Sequence, residues 1–289
     1  MAETLDLLKN ELYNISVQSA ELLQSDPSAG KSMTDIGSGK TEEDLELLKK
    51  LTASLLPALP EHTLSVDNVP EELESLMSPA CYEIPSLDGW ADNRVLINLE
   101  QHNPTMLLTL AHEAYPGHLY QYVYQRGNER LGLTQRALHY GGYAEGWSQL
   151  AEYLVANAQE QYPKAYAQLH FYTGVLYSAI IPAVVSILVN YYAYGESSAK
   201  MFLTSLGLSE AYIDSYYELA VDQPYYTICY AVGYAQLMQL IREAQTDLGE
   251  SYDQKEFLTA YLDLGPGYFN LIRERMDVWV DNKMMEEEI

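Results

Sequence analysis

Apolar positions recur at helical spacing over most of the chain. The stretch "TLDLLKNELYNISVQSAELL" repeats Leu, Ile and Val every three or four positions and predicts a helix within residues 1–24. A segment rich in Gly, Ser, Asp and Pro follows over residues 25–41 and reads as a flexible loop. It leads into a second helix over 42–56, with Thr41 as its cap. From about residue 104 the pattern is helical almost throughout, with helices near 104–126, 133–158, 163–194, 196–205, 209–220, 224–248, 253–263 and 266–283. One stretch departs from this period. In "YEIPSLDGWADNRVLINL" a turn signal at Asp88-Gly89 precedes a β-prone run from Val95 to Leu99, which reads as a strand or hairpin. The expected fold class is therefore mainly α, a single multi-helix domain over 1–289 with one short strand or hairpin.

Residues 165–195 carry no formal charge, and include "VLYSAIIPAVVSILVNYYAY". A membrane-spanning helix is the obvious alternative to consider. Pro182, Ser178, Ser186, Asn190, several tyrosines and the lack of a basic flank argue against it. A buried central helix, apolar on all sides, is the expectation, with no transmembrane segment.

Composition narrows the partners. With 48% apolar residues the chain can bury a sizeable core. Its 41 acidic and 16 basic residues leave a net charge of −25, which repels phosphate backbones and excludes nucleic acid as a natural partner. Cys81 and Cys229 form no cluster, so neither a disulfide framework nor a thiolate metal site is expected. The N-terminus, "MAETLDLLKNE", has acids where a signal peptide needs a basic region and an apolar core. Either the protein stays inside the cell, or a leader was removed and it is exported or surface-bound. "GSGKT" at 37–41 mimics a phosphate-binding loop, but Thr34 stands where the motif needs its first glycine. Tyrosine is unusually common, 26 against 4 Phe, which suits wet, groove-lined interiors.

The chemistry concentrates in "TLAHEAYPGHLYQ" at 109–121. It resembles the zinc signature H-E-x-x-H, with the second histidine at i+6 instead of i+4. Four residues apart, two side chains on a helix are about 40° out of line; six apart they diverge by roughly 240°. His112 and His118 converge only if the backbone is distorted between them. Pro116, which lacks an amide donor, and Gly117, which tolerates unusual geometry, stand at the right place for that. The plainer reading is a helix ending at Tyr115, a Pro-Gly turn, and His118 opening another helix. Downstream, "HYGGYAEGWSQLAEYL" offers Glu145 as a third ligand, with Glu152 two turns on along roughly the same face. Two histidines and a glutamate with water as fourth ligand form an open catalytic zinc site, and Glu113 would be the base for that water. A solvated helix face is the alternative for Glu145 and Glu152, weakened by flanking Gly146, Trp147, Tyr153 and Leu154.

"HEAYPGHLYQ", "EGWSQLAEY", "QPYYTICYAVGYAQLMQLIREAQTDLG" and "FLTAYLDLGPGYF", with "VPEELESLMSPACYEIPSLDGW", resemble the bacterial HE-x-x-P-G-H family (domain of unknown function 885) over about residues 65–272. That family is similar to the helical gluzincin metallopeptidases. The resemblance implies a metallopeptidase-like helical domain binding one Zn2+ through His112, His118 and Glu145, with Glu113 as general base. It places Gln121, Glu152 and Gln223 around the ligands or in the substrate groove, where Asn98 is a further candidate. It also implies an oxyanion donor from a downstream helix, for which Tyr230 and Tyr234 are the candidates, packing being the alternative for each. Family chains run to about twice this length, with a helical half ahead of the motif region, so this chain corresponds to a C-terminal half. Where many members carry Arg, Asp and His around "VVSILVNYYAYG", this chain has Ser186, Asn190 and Tyr191.

The expected function is a zinc-dependent peptidase acting on a peptide or small amide. Pairing of a substrate strand with Val95–Leu99 and an internal hairpin there are the two alternatives, and Arg94, Arg242 and Arg273 are candidates to hold a substrate carboxylate that nothing in the sequence places in the groove. His139 is a substitute ligand; His62, His102 and His170 are structural or exposed. The competing readings are a non-catalytic helical binding module and a zinc hydrolase of non-peptide amides or esters. The sequence leaves the oligomeric state open.

Overall fold

Helices α6 (Gly141–Ala158) and α11 (Tyr226–Leu248) cross backbone to backbone at the centre of the structure. A Cβ on Gly233 would lie 2.0 Å from the Gly142 carbonyl oxygen, and one on Gly146 would lie 2.4 Å from the Gly233 carbonyl carbon. Only glycine permits that approach. The computed structural model describes residues 1–31 and 35–287. Around the crossing pair, α1 (Ala2–Ser25), α7 (Lys164–Gly174), α8 (Ile181–Asn190) and α13 (Phe269–Glu287) close one core, which includes fully buried Trp147, Phe171 and Leu237. Helices α9 (Glu196–Ser205) and α10 (Glu210–Asp222) cover α8 through a smaller cluster around Val185, Leu203 and Ile213. Helix α12 (Gln254–Leu264) packs against α13.

The uncharged stretch is one helical run, Lys164–Asn190, long and apolar enough to cross a membrane by those measures alone. Of its most apolar window 56% is buried inside the structure, so core packing accounts for its character. The run widens to a π-helix over Val175–Ile180, just before Pro182. A wider turn there accommodates the amide that proline lacks. The helix expected to reach 194 stops at Asn190, and Ala193 takes φ 57° in the turn beyond.

The expected strand or hairpin is part of a small three-stranded sheet. β1 (Thr63–Asn68), β2 (Ala80–Glu83) and β3 (Asp92–Ile97) lie in the order β1-β3-β2, with β1 parallel and β2 antiparallel to β3. The expected Asp88-Gly89 turn connects β2 to β3, with Gly89 N–H donating to Ser86 Oγ at 3.2 Å. β1 alternates exposed Thr63, Ser65 and Asp67 with half-buried Leu64 and Val66, but only two apolar residues carry the pattern, too few to stand out in the sequence.

Helix α2 (Thr41–Leu55) starts one residue earlier than expected, and Thr41 is not its cap. Lys40 occupies that position without a side-chain bond, and the first turn is tied instead by Asp44, whose carboxylate accepts the Ser38 amide at 2.9 Å. Of the expected flexible loop, residues 32–34 lie outside the described residues. Among the others Ile36 is buried and fixed: its amide donates to Pro104 O at 2.6 Å and its carbonyl accepts from Leu107 at 2.9 Å.

Candidate metal centre

The single helix expected over 104–126 is two, α3 (Met106–Glu113) and α4 (His118–Gly127). The break falls on Pro116 and Gly117, and the Tyr115–Pro116 peptide is cis. The chain recovers helical bonding at Gln121, whose amide donates to Gly117 O at 2.9 Å. Three contacts hold this turn. Trp147 Nε1 donates to Pro116 O at 2.8 Å, and the Tyr115 hydroxyl bonds His62 Nε2 at 2.7 Å. Gly117 meanwhile lies so close to the end of α3 that a Cβ would sit 1.8 Å from the His112 carbonyl oxygen.

The turn brings the two imidazoles together, with ring centroids 4.8 Å apart and planes at 85°. Glu145, in the first turns of α6, completes the group. Its Oε2 is 3.4 Å from His112 Nε2 and 3.3 Å from His118 Nε2. One ligand atom from each of His112, His118 and Glu145 lies within 4.8 Å of the others, so the three can hold a metal ion between them. Glu145 Oε2 is buried without a hydrogen-bond partner among the described residues. A buried carboxylate oxygen left so is costly unless a cation satisfies it. His118 Nδ1 is likewise buried and unpartnered, whereas His112 Nδ1 bonds Glu152 Oε1 at 2.8 Å. Gln149 donates to the same Glu152 oxygen at 2.9 Å. Glu152 thus orients the first ligand, as carboxylates behind metal-bound histidines do.

Burial works against charge on His112, yet the facing Glu145 and Glu152 carboxylates hold its pKa well above the imidazole range. Burial would likewise raise Glu145, but the two imidazoles hold it well below the usual carboxylate range. A metal ion bound at His112 Nε2 would take the place of the proton there and, like it, would favour the ionised Glu145 carboxylate.

Glu113, Glu145, His118 and Tyr230 open onto a cavity of about 350 Å³, walled on one side by Leu76, Met77 and Ile84. Glu113 Oε2 accepts the Tyr82 amide at 2.8 Å. That bond shows which way β2 faces. Pro79 O accepts from Asn98 N, so alternate residues bond β3 while Ala80 and Tyr82 turn their backbone groups to the free edge, at the cavity. The strand expected to receive substrate, Val95–Leu99, is a correction: β3 is central and both its edges are taken.

Tyr230 stacks over His112, with centroids 6.0 Å apart and planes at 16°. Burial, then the Glu145 charge, pushes its pKa well above the phenol range, so its hydroxyl keeps its proton. Tyr234 is a second correction. One turn further along α11, it is buried against Phe171 in the core and does not line the cavity. Asn98 is a third: its Nδ2 donates to Glu74 O at 2.8 Å and Met77 O at 2.9 Å, fastening the 71–78 segment instead of facing a groove. Gln223 ends α10, exposed and off the cavity lining. Gln121 is buried beside the centre and donates to Tyr143 O at 3.4 Å, which links α4 to α6.

None of the arginines considered for substrate lines the cavity. Arg94 pairs with Asp67 and Glu83, Arg242 with buried Glu11, and Arg273 with Glu243. His139 is not among the three ligands. Ser186 and Asn190 hold helices together: Ser186 Oγ donates to Pro224 O at 2.6 Å, and Asn190 Nδ2 to Ala220 O at 2.8 Å. His62 is structural, as expected, whereas sequence reasoning missed the Tyr82 amide and Tyr122, although Tyr122 lies one turn past His118 on the same face of α4.

The family described as "Bacterial protein of unknown function (DUF885)" matches residues 22–276, wider than the 65–272 read from motifs. The chain belongs to this family. No curated protein matches this DUF885 chain. Among solved structures it is similar to a "putative lipoprotein" of Colwellia psychrerythraea, at 18% identity and a TM-score of 0.76, covering 97% of this chain and 52% of that one. It is also similar to a "putative lipoprotein of unknown function" of Shewanella oneidensis, at 17% identity and a TM-score of 0.66, covering 94% and 56%. These likenesses show the fold. The DUF885 chain spans about half the length of both structures.

Proposed function

We propose that this DUF885 chain is the catalytic half of a zinc-dependent peptidase. The observation that carries the reading is Glu145 Oε2, buried without a partner and faced by two imidazole Nε2 atoms. Two histidines and a glutamate are the donor set of open catalytic zinc sites. A zinc ion held by them would lower the pKa of its water from about 16 toward 7 and polarise the substrate carbonyl.

The chain's own residues account for the rest. Glu113 has Oε2 committed to the Tyr82 amide, which leaves Oε1 to take the proton of the attacking water and pass it to the leaving amine. Tyr230, protonated and on the cavity wall, donates a hydrogen bond to the oxygen that gains charge. The outer edge of β2 keeps the Ala80 N–H and C=O and the Tyr82 C=O to bond an extended backbone, its Tyr82 amide being held by Glu113, and this favours a peptide over a small amide or ester. With no lysine or arginine among the described residues lining the cavity, nothing there anchors a C-terminal carboxylate. The lipoprotein descriptions of the two similar structures support an exported or cell-surface setting.

The test is zinc stoichiometry of wild type beside His118→Ala, followed by a peptide-library screen of wild type beside Glu113→Gln. About one zinc per chain in wild type alone, with cleavage abolished in Glu113→Gln, is expected. A wild type that binds no zinc when supplied with it would sink the proposal.

A further inference from the structure

His139 and Tyr122 have no part in the mechanism above, yet both line its cavity. Tyr122 comes from α4, four residues after His118. His139 comes from the non-helical link between α5 (Leu133–Ala137) and α6, six residues before Glu145. The Tyr122 hydroxyl and His139 Nδ1 are hydrogen-bonded, with the rings 6.2 Å apart and nearly parallel at 9°.

The buried tyrosine decides how the bond is polarised. Tyr122 is 2% exposed, packed between the Arg126 guanidinium, 5.1 Å from its ring centre, and the Tyr82 ring at 5.9 Å. Burial pushes its pKa well above the phenol range, so the hydroxyl stays protonated, and His139 Nδ1 is its partner among the described residues. The O–H therefore donates to Nδ1. A neutral imidazole that accepts at Nδ1 carries its proton at Nε2. His139 Nε2 has no partner among the described residues, and the ring is exposed at the cavity. His62 shows the contrast: a structural histidine, it spends both nitrogens, on Pro60 O and the Tyr115 hydroxyl.

We infer that His139 is a catalytic residue that presents Nε2–H to the substrate oxygen gaining charge, and that Tyr122 is the positioning residue that fixes this tautomer. The inference rests on the peptidase reading. Tyr230, stacked over His112, and His139, bonded to Tyr122, both line the cavity onto which Glu113, His118 and Glu145 open. His139 gives a hydrogen bond and transfers no proton.

Two measurements test this. In the zinc-free protein, long-range 1H–15N spectra should show His139 as the Nε2–H tautomer in wild type, and a mixture in Tyr122→Phe. In the zinc-loaded protein, His139→Ala should lower kcat on the order of a hundredfold with KM and zinc content little changed. A wild-type His139 carrying its proton on Nδ1 overturns the positioning role. A kcat within about twofold of an active wild type overturns the catalytic one. A wild type that binds zinc but cleaves nothing overturns the peptidase reading and the substrate role of His139 together, while the spectra still decide what Tyr122 does.

Discussion

Trp147 reaches from α6 to the Pro116 carbonyl, joining residues 31 apart in sequence by a 2.8 Å hydrogen bond. Trp147 stands two positions after Glu145, so one helix supplies Glu145 and also holds the turn that brings His112 and His118 together. Replacing it by Phe leaves Pro116 O without its donor, at a cost of about 2 kcal/mol in folding stability. Denaturant titration of Trp147→Phe should show that loss, and zinc titration a weaker affinity.

Gly117→Ala should be worse. The obstacle is the His112 carbonyl oxygen, 1.8 Å from where a Cβ would sit. The end of α3 or the start of α4 must move, costing about 3 kcal/mol or more. Loss of zinc at normal protein concentration, together with a lowered unfolding midpoint, is the expected result.

Glu152→Gln and Asn98→Ala separate site from scaffold. Glu152 orients His112, so Glu152→Gln should weaken zinc binding by about 10- to 100-fold with modest change in stability. Asn98→Ala removes a donor that Gln101 Nε2 only partly replaces, since Gln101 bonds Met77 O at 2.8 Å but Glu74 O at 3.4 Å, and should cost about 1 kcal/mol. Its zinc affinity should match wild type by calorimetry.

Two tyrosines one turn apart should behave differently. Tyr230→Phe is expected to lower kcat on the order of a hundredfold. Tyr234→Phe, altered inside the core, should leave kcat unchanged. Equal losses in steady-state kinetics would mean that Tyr230 acts through packing alone.

Asp44 sets a pH dependence. Burial raises its pKa, and the bonds from Ser38 offset this only in part. Since the folded value exceeds the unfolded one, Asp44's contribution is fully present below the unfolded pKa of about 3.9 and is lost as pH rises through the folded value. Asp44→Asn, which keeps an oxygen for Ser38 N–H, should therefore gain on wild type between about pH 4 and pH 7. Urea unfolding at both pH values measures the gap; a gap that does not change would contradict the assignment.

Helix periodicity was legible because one buried face repeats over many turns, and Pro116-Gly117 was legible as a break because those residues are poor in helix interiors. The ligand set followed from spacing and resemblance together. Contacts between distant segments were not legible. Tyr230 and Tyr234 share a helical face on paper, and only the packing of α11 against Phe171 separates wall from core. Asn98 looked like a groove residue because its strand looked like an edge; the unnoticed β1 makes that strand central. Tyr122 and His139 carry no joint motif, since α4 and the link before α6 meet only after folding.

The glycine crossing of α6 and α11 has a consequence for how the cavity can adapt. Glu145 sits next to Gly146, and Tyr230 one turn before Gly233, so backbone contact sets the span between carboxylate and phenol. No side chain lies between the two helices there to be trimmed or enlarged, which makes this wall a fixed jaw. Diversity in what the cavity accepts must then arise opposite, where side chains of β2 and the Asn98-tethered 71–78 segment line it.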